Sequence, residues 1–265
     1  MELSGYEPSD DEWAAHQEIT ALLARIPELL EASSPFEPLA PRPGSVLASD
    51  DAVLGDYPAS GLVQTCLASA VDCLDAVEAL MVDEDGGVRL YTFAQYPLLR
   101  SVIEASAQAI WLLRPDDQAV RIERNLRVRA TEHLQDAELY KSFIGKKALP
   151  ASLEKFKNKQ IGYAEIVRNG ANDVDGTGSR AELVWRLISG FTHPYARRST
   201  VHSIRVPMGT DAEGRGISAS IPSARTVAIA LSTAIQMHES MLELVACREA
   251  TTLMTDSEVD EDFAE

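Results

Sequence analysis

Apolar side chains recur every three or four residues in several long segments of this chain. Between residues 59 and 82 they include Leu62, Val63, Leu67, Val71, Leu74 and Val77, a spacing that places them on one face of an α-helix. Similar patterns predict helices over residues 11 to 32, 91 to 113, 117 to 143, 152 to 168, 179 to 191 and 222 to 249. Residues 201 to 206 resemble a strand, but no second strand is predicted to pair with them. We therefore predict an all-α fold, a helical bundle of about six to seven helices.

Proline and glycine divide the chain. Pro27 should kink or restart the first helix, and five Pro and Gly residues between Pro35 and Gly44 predict a linker. We expect three parts: residues 1 to 58, an N-terminal helix with a Pro-rich linker; residues 59 to 250, the helical bundle domain; and residues 251 to 265, an acidic disordered tail.

The composition excludes several protein classes. Three Cys in 265 residues, none of them in a CxxC pair, predict neither a disulfide scaffold nor a thiolate zinc site. The longest charge-free apolar stretch, residues 226 to 237, is shorter than the roughly 20 residues that span a bilayer. The first residues also lack the pattern of a signal peptide. We expect a cytoplasmic protein with no membrane partner.

The motifs of metal and nucleotide sites are absent from the sequence. It contains no HExxH, no GxGxxG and no GxxxxGK[ST], and none of its five His follows a Glu by three residues. We expect neither a metal nor a cofactor.

Charge is distributed unevenly along the chain, whose formal net charge is −17. Residues 114 to 205 contain 17 Lys and Arg against 11 Asp and Glu, about +6, and the remaining residues carry about −23. In the predicted fourth helix Arg121, Arg124 and Arg127 recur every three residues, a spacing suited to phosphate oxygens. They are our candidate nucleic-acid-binding residues. The alternative is that they pair with the acidic segments of the chain itself.

The predicted helix over residues 91 to 113 contains charged residues in an apolar setting. Arg100, Glu104 and Gln108 lie at i, i+4 and i+8, and nearly all the residues around them are apolar. A buried charge needs a partner, and Arg100 and Glu104 are one turn apart. The pair either fixes the register of the helix or belongs to a polar site.

A second candidate cluster lies near the end of the predicted helix over residues 179 to 191. Arg186, Ser189 and His193 lie at i, i+3 and i+7, on one face if the helix continues. His transfers protons near neutral pH and Arg stabilises phosphate charge, so the three residues could form a small catalytic set. Alternatively, His193 caps the helix C-terminus.

The spacing from Arg to His resembles the motif of the HEPN superfamily, an Arg followed after four to six residues by a His. Six residues separate Arg186 from His193, five separate Arg127 from His133, and four separate Arg197 from His202. The resemblance implies an all-α domain that acts as a metal-independent ribonuclease, pairs two motifs in a dimer, and works in a toxin or phage-defence system. The family favours a polar residue directly after the Arg, and Leu187 stands there.

Two longer segments, RSVIEASAQAIWLL and VWRLISGFTHPYA, are similar to a group of uncharacterised bacterial helical proteins. Their shared pattern is an Arg-x3-Glu helix and, later, Trp-Arg-x2-Ser-Gly-x2-His. The resemblance implies that five side chains meet in one place: Arg100, Glu104, Arg186, Ser189 and His193.

Two main hypotheses follow. In the first, the chain binds or cleaves RNA as a homodimer, a candidate metal-independent endoribonuclease in which Arg186 holds phosphate, His193 transfers protons, and Arg100 and Glu104 orient them. In the second, it is a non-catalytic interaction module with a structural polar cluster and an acidic surface for a basic protein partner. A third option is a small-molecule pocket lined by Trp111, Trp185 and Met237.

Overall fold

The computed structural model describes residues 7–33, 39–141, 149–171, 174, 178–192 and 202–250. Nine α-helices lie within these ranges, more than the six to seven predicted, and the predominantly helical character is confirmed. In chain order they are α1 (Asp10–Leu23), α2 (Ile26–Ser33), α3 (Val46–Leu54), α4 (Ala59–Met81), α5 (Gln95–Leu113), α6 (Gln118–Tyr140), α7 (Tyr163–Ala171), α8 (Gly178–Thr192) and α9 (Ala224–Ala250). A 3₁₀ helix (Ala151–Phe156) precedes α7, and strands β1 (Ser203–Thr210) and β2 (Gly216–Pro222) precede α9.

Local chemistry accounts for several helix boundaries. The break between α1 and α2 coincides with Pro27, as predicted. Asp117 caps α6 by accepting a hydrogen bond from the amide of Ala119, and Ser9 caps α1 in the same way through the amide of Glu12.

In three places the structure differs from the predicted elements. The part up to residue 58, predicted as one helix and a linker, contains the further helix α3, which Ser45 caps and whose Leu47 and Leu54 are buried. The single helix predicted over residues 152 to 168 is divided, because Leu153 and Phe156 pack against Ala130 of α6 before the chain turns into α7. The predicted lone strand has a partner: β1 and β2 form an antiparallel hairpin with a bulge between Pro207 and Gly209.

Helix α5 lies at the centre of the core. It packs against α4, α7, α8 and α9, and between residues 102 and 113 every side chain except that of Glu104 is buried. α1 packs on α9 and α2 on α4, so that Ile19 and Ile26 belong to the same apolar cluster as α5. The acidic tail predicted over residues 251 to 265 lies outside the described residues.

None of the helices in the described part of the chain combines the length and the apolar character that a bilayer crossing needs.

Candidate functional site

The charged pair on α5 is joined to α8. Arg100 Nε donates to Glu104 Oε1 at 2.8 Å, and Trp185 Nε1 of α8 donates to the same oxygen at 2.8 Å. Arg100 Nη1 also donates to Thr192 Oγ1 at 3.2 Å, and its guanidinium lies 5.5 Å from the centre of the Trp185 ring. Both members of the pair are partly rather than fully buried. The pair therefore fixes the position of α8 against α5.

Arg186 forms a different cluster. Its Nε and Nη2 donate to Glu182 Oε1 at 2.9 and 2.7 Å, and Arg168 of α7 binds the same carboxylate. The hydrogen bonds from Arg168 and then from Arg186 hold the pKa of Glu182 below its usual range. The Arg186 side chain is 52% exposed. It is Trp185, the residue before Arg186, that contacts Glu104.

The other two members of the predicted catalytic set are Ser189 and His193. Ser189 Oγ donates to the carbonyl of Trp185 at 2.6 Å, so its proton is held by the backbone of its own helix. His193 lies outside the described residues, as does Arg197. Catalysis by Arg186 and His193 stays a prediction.

The three arginines predicted to bind nucleic acid contact the chain itself. Arg121 is buried and binds both carboxylate oxygens of Asp50 at 2.6 and 2.9 Å. Arg124 donates to the carbonyl of Trp111 and lies 4.9 Å from the centre of its ring. Arg127 donates to the carbonyl of Lys159 at 3.1 Å and to Glu165 at 3.4 Å. These contacts match the alternative in which the basic segment pairs with the chain's own groups.

Two of the three residues named for the small-molecule pocket, the third option, belong to the core. Trp111 and Met237 are buried, whereas Trp185 is partly buried against Glu104.

A polar cleft that the sequence analysis did not identify lies beside Glu104. Its volume is about 280 Å³, and its walls come from α4, α5, α6 and the start of α7. The lining residues are Thr65, Cys66, Ser69, Ser101, Glu104, Ala105, Gln108, Glu132 and Tyr163. Two carboxylates therefore line one cleft.

Each carboxylate of the cleft is held by an arginine. Arg129 Nη1 donates to Glu132 Oε2 at 3.1 Å, as Arg100 Nε does to Glu104 Oε1. Neither arginine lines the cleft. The contacts within the described residues thus engage Oε2 of Glu132 and Oε1 of Glu104, which leaves the second oxygen of each carboxylate available to accept from a ligand.

Two hydroxyls of the cleft, those of Thr65 and Ser101, are also oriented as acceptors. Thr65 Oγ1 donates its proton to the carbonyl of Gly61 at 2.9 Å, and Ser101 Oγ donates to that of Pro97 at 3.0 Å. With each proton held by the backbone, the oxygen can only accept from a ligand. The cleft therefore presents mainly hydrogen-bond acceptors.

Two titratable side chains of the cleft, Cys66 and Tyr163, have raised pKa values. Burial raises the pKa of the Cys66 thiol to about 12, and Gln108 Nε2 lies 3.5 Å from its sulfur. Burial also raises the pKa of Tyr163, and the negative charges of Glu104 and Glu132 raise it further. At neutral pH Cys66 is a thiol and not a nucleophilic thiolate. Within the described ranges, no group of three or more His, Cys, Asp or Glu side chains is arranged to hold a metal ion.

Sequence reasoning found Glu104 from its apolar surroundings but had no signal for the cleft. Glu132, Tyr163 and Thr65 lie on three other helices. Their sequence spacing does not indicate that these faces meet, because contacts between distant helices depend on how the helices pack.

No protein-family description, no curated protein and no solved structure matches the chain. The resemblances to the HEPN superfamily and to the bacterial helical group therefore stay predictions.

Proposed function

We propose that the protein is a non-catalytic helical binding protein whose ligand site is the cleft between Glu104 and Glu132. The observation that carries the proposal is that two carboxylates, each with one unengaged oxygen, line the same cleft as hydroxyls oriented to accept. A site built from acceptors selects a ligand built from donors.

The ligand class that fits is a small organic amine in its ammonium form. An ammonium group has three donors and no acceptor, and charge-assisted hydrogen bonds to carboxylates are among the stronger ones. A volume of about 280 Å³ is at the small end of ligand pockets, which suits a compact molecule. Arg100 and Arg129, behind the carboxylates, hold them in place through their hydrogen bonds.

The chemistry of the cleft favours binding over catalysis. The thiol of Cys66 stays protonated at neutral pH, and the protons of Thr65 and Ser101 are held by backbone carbonyls. No activated nucleophile lines the cleft among the described residues. In this proposal the partly buried pair of Arg100 and Glu104 has a structural role, as in the second hypothesis.

We propose that the protein acts in the cytoplasm. Cys66 and Cys73 are free thiols, which persist in a reducing compartment. The second hypothesis also includes a basic protein partner that binds the acidic surface. That partner stays a prediction from the net charge.

Thermal unfolding with matched ligands tests the proposal. We expect 1,4-diaminobutane, at up to about 10 mM, to raise the melting temperature by about 3 °C once its concentration reaches roughly five times Kd. The uncharged 1,4-butanediol, with a chain of the same length, should have no effect. Titration calorimetry should likewise detect binding of the diamine and no binding of the diol.

Two variants locate the site. Glu132→Gln removes one carboxylate charge from the cleft and should abolish the shift produced by the diamine. Glu154→Gln is the control, since Glu154 lies outside the cleft and pairs with Lys157 at 3.1 Å on an exposed surface. An equal shift in Glu132→Gln and the wild type, or no shift with any small amine, would overturn the proposal.

A further inference from the structure

The outer edge of strand β2 is open. Within the described residues β2 pairs only with β1, so its other edge presents unpaired N–H and C=O groups. Natural proteins protect such edges with charged residues, proline or bulges. β1 has all three: Arg205, Pro207 and the bulge before Gly209. β2 has no charged residue, and its one proline, Pro222, is the last residue of the strand.

The sequence of β2 is self-complementary. Residues 217 to 221 read Ile-Ser-Ala-Ser-Ile, which is the same in both directions. If two copies of β2 lie antiparallel about a two-fold axis at Ala219, Ile217 of each faces Ile221 of the other, and Ser218 faces Ser220. Opposed β-branched residues and opposed serines are favourable cross-strand pairs. In this register odd-numbered residues face odd-numbered residues, and even-numbered residues face even-numbered ones. The Ile and Ala side chains of both strands therefore lie on one face of the sheet, and the Ser side chains lie on the other.

The side chains on one face of the hairpin support the same arrangement. Ile217, Ala219 and Ile221 lie on one face of β2. Across the hairpin Ala219 lies opposite Val206 and Ile221 lies opposite Ile204. Ile217 is 49% exposed. Beyond the base of the hairpin, Ile221 lines an apolar cleft of about 260 Å³ with Trp13, whose side chain is 60% exposed. A second β2 strand would cover Ile217 with an isoleucine and extend this apolar surface.

We propose that the chain forms a two-fold homodimer in which the two β2 strands pair antiparallel about Ala219, joining two hairpins into a four-stranded sheet. The interface is isologous, as in most homodimers. In the turn of the hairpin Arg215 bonds to both Asp211 and Glu213, which leaves one negative charge uncompensated. The net charge of −17 on each chain opposes association, so the dimer should strengthen as salt rises.

Sedimentation equilibrium of the full chain tests the proposal. We expect a monomer–dimer equilibrium between about 1 and about 500 µM, with a lower Kd at about 0.5 M than at about 0.15 M salt. A wild-type chain that stays monomeric throughout this range would overturn the proposal.

Two double variants test the register. Ser218→Glu with Ser220→Glu places like charges opposite each other at both serine pairs and should raise Kd at least about tenfold. Ser218→Lys with Ser220→Glu places Lys opposite Glu at the same positions and should leave Kd within about threefold of the wild type. Both variants share the Ser220→Glu change, which lies opposite Arg205 in the hairpin, and both serines are exposed in the monomer. Equal weakening by the two variants would exclude this pairing.

Discussion

Arg121 on α6 holds both carboxylate oxygens of Asp50 on α3. The Nε–Oδ2 distance is 2.6 Å and the Nη2–Oδ1 distance is 2.9 Å. Only 5% of the Arg121 side chain and 1% of the Asp50 side chain are exposed. The remaining nitrogen, Nη1, donates to the carbonyls of Pro115 and Asp116, so every nitrogen of the Arg121 guanidinium has a partner inside the protein.

Removal of this arginine should destabilise the fold. Arg121→Ala leaves the Asp50 carboxylate buried without its partner, and we expect the free energy of unfolding to fall by about 3–5 kcal/mol. Urea unfolding followed by circular dichroism measures the change. The control is Arg215→Ala, because Arg215 pairs with Asp211 and Glu213 on an exposed turn and should leave the stability unchanged within error. A stable Arg121→Ala variant would contradict the bidentate contact.

Helices α5 and α7 approach so closely at Gly170 that no side chain fits. A Cβ atom there would lie 2.5 Å from the carbonyl oxygen of Ala107. Gly170→Ala should therefore lower the free energy of unfolding by about 2 kcal/mol, the cost of overpacking a tight contact. Gly162→Ala is the matched control, since no atom lies within 4 Å of its added Cβ. Equal stability of the two variants in urea would show that α7 is not held at this distance.

His238 should make stability depend on pH. Burial lowers its pKa from 6.5 to about 4, its Nε2 lies 3.0 Å from Ser33 Oγ, and its Nδ1 has no partner among the described residues. Between pH 6.5 and pH 4, His238 is protonated in the unfolded chain but neutral in the folded protein. The free energy of unfolding is therefore highest above pH 6.5 and decreases as pH falls toward 4.

The expected loss from His238 between pH 7 and pH 5 is about 2 kcal/mol. Urea unfolding of the wild type at the two pH values measures it, and His238→Gln, which cannot titrate, should lose that much less. The lowered pKa values of Glu182 and Asp211 affect stability mainly below this window. An identical pH dependence in the wild type and the variant would show that His238 is accessible to protons in the folded protein.

RNA binding can be tested separately from the amine site. Because Arg121 binds Asp50 and Arg127 binds Glu165, we expect no mobility shift of single-stranded RNA at about 50 mM salt. A shift that weakens steeply with salt would contradict this expectation and favour the RNA hypothesis. In that event, cleavage in EDTA by the wild type but not by His193→Ala would identify the predicted ribonuclease.

The sequence by itself determined the features that depend on near neighbours in the chain. The apolar periodicity of α4, α5 and α9 gave their positions within a few residues, because one turn of helix brings residues i, i+3 and i+4 to the same face. The break at Pro27, the cap at Asp117 and the contact between Arg100 and Glu104 follow from equally local rules.

Only the tertiary structure decided which faces of these helices meet. The stripe that contains Arg121 suits phosphate as well as protein carboxylates. The choice depends on Asp50 of α3, a helix that the sequence pattern did not predict. Similarly, Trp185 and not its neighbour Arg186 reaches Glu104, and Glu132 arrives on the same cleft from another helix. The physical reason is that a charged side chain takes the partner that packing brings within hydrogen-bond distance, and packing between distant helices depends on the whole core and not on local spacing.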